Sequence, residues 1–237
     1  MSAALRSVAV GVLVSATLVA VPAAGPLPAA SALVAALSTH EIVAIAESRH
    51  AIRQAGDFYV ALIRDPDFQL AVNDVVIEFA SGQSQPLLDR YILDGESLGP
   101  ETLASIWRNT TKAASWEAPG YARWLAAMHD VNRSLPAARR IRVLAGDTPV
   151  DWTRLKSSAD WTALGDNNVS FARVIEESVL AKGRKALVIL GSNHLTRGGD
   201  RNGEPNTTTR VEALPGIDVP RLPVQRPAGR RGRGCAV

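Results

Sequence analysis

Five ionisable side chains stand where a chain could do chemistry: Glu47 and His50, Glu78, Asp147 and His194. Glu47 precedes His50 by three residues, in Ala46-Glu47-Ser48-Arg49-His50. Glu78 follows Val75-Val76-Ile77, Asp147 closes Arg142-Val143-Leu144-Ala145-Gly146, and His194 ends Gly191-Ser192-Asn193-His194. A histidine whose tautomer is fixed by a carboxylate is a general base that activates water for hydrolysis. Two histidines with one or two carboxylates are equally a first-row metal set with positions left open for water. The residue types alone leave both readings open. A serine or cysteine nucleophile fits less well, since Ser48 and Ser192 lie in no Gly-x-Ser-x-Gly elbow and the lone cysteine is Cys235, near the end of the chain.

Each of these residues follows a short apolar run. Ile42–Ile45, Val75–Ile77, Ile141–Leu144 and Ala186–Leu190 are rich in β-branched residues, long enough for buried strands and short for helices. Between them the spacing turns helical: residues 51–64, 86–91, 100–107, 121–132 and 168–182, with Gly183 as a terminator. This βαβ rhythm predicts an α/β fold with a mostly parallel sheet flanked by helices. In such a sheet ligands bind at the carboxyl ends of the strands, which brings Glu47, His50, Glu78, Asp147 and His194 to one edge. Structural roles compete. Glu78 could cap the following helix, and Asp147 before Thr148-Pro149 could form an Asx turn. His129, on an amphipathic helix, and His40, before the first strand, read as packing and capping residues. Trp107, Trp116, Tyr121 and Trp124 could wall a pocket or simply pack helices.

The 237 residues suffice for one α/β domain with a full core. Net charge is +3, but Arg221, Arg226, Arg230, Arg231 and Arg233 lie in a terminal stretch without acids, and without them the balance is −2. A mildly acidic body argues against nucleic acid as a partner and leaves a small-molecule or peptide substrate. Residues 1–32 read as an export signal: Arg6, an apolar run from Val8 to Val21, then small-residue cleavage sites. That run is short for a span of roughly 20 residues, so no stable membrane span is expected after cleavage, with an uncleaved anchor as the other reading. The expected organisation is a signal peptide over 1–32, one α/β domain over 33–217 and a Pro/Arg-rich disordered tail over 218–237. Export places the protein in the periplasm, on the cell surface or in the medium.

The motifs, taken in order, resemble those of the erythromycin esterase-like and ChaN-like proteins, grouped with the Tiki proteins. Ala46-Glu47-Ser48-Arg49-His50 is similar to their Gly-Glu-x-x-His, with Ala46 for the usual glycine. Glu78 stands where the family has a glutamate after its second strand. Gly191-Ser192-Asn193-His194 is similar to its late Gly-x-x-His, and residues 142–147 to a strand before a Gly-Asp in the ChaN-like branch. The likeness runs from about His40 to Arg197. It implies an α/β fold with the site at the strand ends, and catalytic or metal-binding roles for His50 and His194 supported by Glu47 and Glu78. The activities it implies differ: macrolactone hydrolysis by a histidine-activated water, metal-dependent peptide hydrolysis, or haem binding for iron uptake. The expectation is a hydrolase-like site acting on an ester or amide, with or without a divalent transition metal. The alternative is a haem- or iron-binding uptake protein. Related chains continue with further sheet or helix past the last histidine, whereas the Pro/Arg-rich sequence after Ile217 suggests a truncated or frame-shifted end.

Overall fold

A computed structural model describes residues 29–198 and 203–217. The expected signal peptide up to Pro28 and the expected tail from Asp218 lie outside the described residues, and the expected boundary after Ala32 falls inside the first helix. In chain order the elements are α1 (Ala29–Thr39), β1 (Ile42–Glu47), α2 (Arg53–Arg64), α3 (Pro66–Ala71), β2 (Asp74–Ser81), α4 (Gln85–Ile92), α5 (Pro100–Arg108) and α6 (Pro119–Ser134). They continue with β3 (Arg142–Asp147), α7 (Ser158–Ala163), α8 (Asn167–Val174), β4 (Ala186–Gly191), α9 (Ser192–Leu195) and α10 (Thr207–Glu212). Helix α8 runs on through a π turn over Ile175–Val179 to Gly183, which ends it in the left-handed region at φ 59°.

The four strands form an entirely parallel sheet in the order β1-β4-β2-β3. Alternation along each strand sorts the core into two layers. Val43, Val75, Ile77, Val143, Ala145, Leu187 and Ile189 pack on one face, with the helices from α1 to α6. Ile42, Val76, Leu144, Ala186, Val188 and Leu190 pack on the other, with Phe171 of α8 and Val211 of α10. Both faces being covered, β2 is buried along its whole length, as parallel sheets require. Among the described residues no helix is long and apolar enough to cross a membrane.

The strand ends differ from the apolar runs in one way that matters for the site. β2 extends past Glu78 to Ser81, and its register against β3 shifts between Ile77 and Ser81. Glu78 sits in that irregularity, just beyond the last β2–β4 pair, Ile77 with Ile189. Such a shift re-aims a side chain without ending the strand.

Candidate functional site

Glu47 is the last residue of β1, paired in register with Gly191 at the end of β4. It shares strand parity with Val43 and Ile45, whereas Glu78 shares parity with Val76, so the two carboxylates start from opposite faces of the sheet. They meet across Gly191. A Cβ added there would lie 3.1 Å from Glu78 Oε2 and 3.2 Å from His50 Cε1. The space a side chain would fill is taken by two functional groups, a physical reason for glycine at this point.

On one side of Gly191, His50 Nδ1 lies 3.0 Å from Glu47 Oε2. A carboxylate can only accept, so Nδ1 carries a proton, and in the neutral ring Nε2 holds the lone pair. The ring packs edge-on against buried Trp116, with centroids 4.4 Å apart. Two tyrosines stand behind it: Tyr59 lines the same cavity as Glu47, and the Tyr121 oxygen accepts from the backbone N–H of Ala51 at 3.0 Å. Ala51 adopts φ 66°, a left-handed conformation that a side chain resists and that tertiary contacts must hold. Burial, then the Glu47 charge, push both phenols well above their ordinary range, so both hydroxyls stay neutral.

On the other side, Glu78 is 3% exposed and fully engaged. Its Oε1 accepts from Lys112 Nζ at 2.6 Å, His194 Nε2 stands 3.4 Å from the same atom, and its Oε2 accepts from the Gly191 N–H at 2.6 Å. Burial alone would raise its pKa, but the His194 imidazole and the Lys112 ammonium outweigh that and hold it at about 2. His194 Nδ1 lies 2.8 Å from Asn168 Oδ1. The backbone N–H of Thr207 donates to that same atom, which marks it as an acceptor, so His194 Nδ1 carries a proton. His194 Nε2, 3.5 Å from Lys112 Nζ, faces the charged pair.

The structure therefore brings Glu47, His50, Glu78 and His194 to one sheet edge, as two pairs flanking Gly191. Asp147 is at the same edge but in another role: its Oδ2 and Oδ1 accept from the N–H and hydroxyl of Thr111 at 2.6 and 2.8 Å. It ties down the loop that carries Lys112, and Asn167 donates to the same Thr111 hydroxyl from α8. Burial raises the Asp147 carboxyl above its usual value. His129 lies on α6, stacked on Tyr91, and His40 bonds back to Ala36 of α1, both away from the site. Sequence reasoning missed Lys112 and Asn168. Lys112 is a loop residue far along the chain from both Glu78 and His194, with no motif around it. Asn168 read only as the start of a helix.

The metal alternative finds no ligand set. Among the described residues no group of three or more His, Cys, Asp or Glu side chains is arranged to hold an ion. The physical reason lies at Glu78, where a lysine ammonium already occupies the position a cation would take. At this end of the sheet haem iron would find His50 Nε2 as the imidazole nitrogen to bind, because both nitrogens of His194 face partners.

The chain matches no protein-family model and no curated protein. Among solved structures it is similar to the type III effector HopBA1, at 18% identity and a TM-score of 0.45, covering 75% of this chain and 79% of that one. It is also similar to RRSP, a MARTX toxin effector domain from Vibrio vulnificus CMCP6, at 18% identity and a TM-score of 0.48 over 77% of this chain. The match spans 34% of the RRSP chain, about a third of its length. Likeness at this level says nothing about chemistry, which has to come from the site.

Proposed function

We propose that this protein is an exported hydrolase in which His50 activates water against an ester or amide carbonyl. The observation that supports this most is the pairing of His50 Nδ1 with Glu47, which leaves Nε2 basic beside the Gly191 end of β4. Water gives its proton to Nε2 as its oxygen attacks the carbonyl carbon. The oxyanion is met by positive charge from Lys112, with the His194 imidazole beside it. Collapse breaks the bond to the leaving alcohol or amine, which takes the proton back from His50. Glu78 holds Lys112 and His194 in place, and its own charge keeps the resting site close to neutral. The export half of the proposal rests on the sequence of residues 1–32. The resemblance to the erythromycin esterase-like, ChaN-like and Tiki proteins agrees with a Glu/His hydrolytic site, and membership of that group is part of the proposal.

The test is turnover of p-nitrophenyl esters by the full chain and its His50→Ala variant. Turnover is expected to fall by roughly 10²–10⁴-fold, the usual contribution of a positioned base, with an unchanged circular dichroism spectrum. Undiminished turnover in the folded variant removes His50 from the role.

A further inference from the structure

A cavity of about 300 Å³ opens beside the His50–Glu47 pair, between α2 and the start of α6. Glu47 lines it together with the rings of Tyr59, Phe79, Tyr121 and Trp124. We infer that this cavity is the substrate's aryl subsite, taking an aromatic acyl group, and that Gly120 sets its size. The inference rests on the hydrolase reading for the word substrate, while occupancy of the cavity by an aromatic group does not.

Three observations lead there. The aromatic wall is continuous: Phe79 lies 4.6 Å from Tyr121 and 5.7 Å from Trp124, ring centre to ring centre. Tilted and edge-on faces of this kind receive a further ring in the offset or T-shaped arrangements that aromatics prefer. The cavity adjoins the site through Glu47, whose carboxylate lines the cavity and also bonds His50 Nδ1, while Arg53 and Arg123 line it from α2 and α6. Finally, the walls and the catalytic loop are one structure. Tyr59 and Glu47 line the cavity together, and Tyr121 holds Ala51, the strained residue next to His50. A guest packed on those two rings stabilises the loop geometry that orients the imidazole. The volume is at the lower end of ligand pockets and suits one ring rather than a large macrocycle.

Gly120 is the gate residue because the helices come together there. A Cβ on Gly56 of α2 would meet Gly120 Cα at 3.7 Å, yet a Cβ on Gly120 itself would meet no atom within 4 Å. A larger side chain at 120 thus enters open space at the cavity wall without displacing backbone.

The experiment uses the full chain with two readouts. Binding of the neutral fluorophore N-phenyl-1-naphthylamine is measured in wild type, Gly120→Leu and Ile52→Glu. Ile52 lines the same cavity and is 37% exposed, so a charge there leaves folding intact even if Gly120→Leu does not fold. Hydrolysis of p-nitrophenyl benzoate is compared with that of p-nitrophenyl acetate in the same proteins. Expected are one bound fluorophore per chain in wild type, at least tenfold weaker binding in both variants, and a benzoate-to-acetate ratio of kcat/KM that falls at least tenfold. No binding in wild type, or equal binding in all three, overturns the subsite. Binding that weakens as expected, with neither ester hydrolysed, upholds the aromatic site and overturns the hydrolase reading instead.

Discussion

Glu78 is buried and charged, and its neighbours decide what that costs. Its folded pKa of about 2 lies below the ordinary 4.5, so the stability it contributes is fully present above about pH 4.5 and is lost as pH falls toward 2. Lys112→Met takes away the ammonium at 2.6 Å and leaves His194 as the only charge partner. The Glu78 carboxyl then rises, and the acid-unfolding midpoint followed by circular dichroism moves to higher pH. An unmoved midpoint would show that Lys112 does not hold Glu78 in its charged form. The same variant should lose roughly 10²–10³-fold in ester turnover if Lys112 meets the oxyanion. At this scale the sequence was half legible. Glu47, His50, Glu78 and His194 each follow a short apolar run, and that placement is visible in one dimension. Lys112 and Asn168 reach the site from a loop and a helix start that local pattern cannot distinguish from any other polar residue.

At the scale of elements, the close approach of α8 to β3 depends on Gly146. A Cβ there would stand 2.7 Å from Phe171 Cδ1 and 2.9 Å from the Ile77 carbonyl oxygen, and the latter belongs to the buried backbone of β2. Gly146→Ala should therefore cost about 1–3 kcal/mol, typical of overpacking, read as a lower denaturant midpoint. No loss would show that β3 yields easily, which the paired register of Ala145 with Ile77 argues against. The Gly-Asp at the end of β3 thus divides its work: the glycine lets α8 in, and Asp147 anchors the loop bearing Lys112. Sequence reasoning placed Asp147 at the correct edge, between a site role and an Asx turn. The bond to Thr111 is a long-range contact that neither reading contained.

For the molecule as a whole, the opposite edge of the sheet is clamped by one carboxylate. Asp74, fully buried at the start of β2, accepts paired bonds from Arg142 at the start of β3 and from Arg184 just before β4. Three strands are thereby registered at the edge away from the site. Asp74→Asn leaves two guanidiniums facing one amide. They stay partly exposed, so the loss falls at the low end for broken buried pairs, about 3 kcal/mol by chemical denaturation. Turnover per folded molecule should be unchanged, because the clamp and the site lie at opposite strand ends. A neutral effect on stability would mean that the apolar layers alone set the register.

What the sequence determined by itself was the rhythm: short β-branched runs alternating with helical spacing, each run ending in an ionisable residue. Local chemistry suffices for that, since strand and helix periods and the parallel-sheet habit of binding at carboxyl ends are properties of the chain and its covalent geometry. What only the tertiary structure decided was which ends become neighbours. Placing β4 between β1 and β2 brings Gly191 between His50 and Glu78, and the register shift in β2 turns Glu78 toward Lys112 and His194. The first depends on strand pairs more than a hundred positions apart, such as Ile42 with Ala186 and Asp74 with Ala186, and the second on the pairing of Ile77 with Ala145, also distant in the chain. Packing across the whole core selects them, and no local pattern encodes that choice.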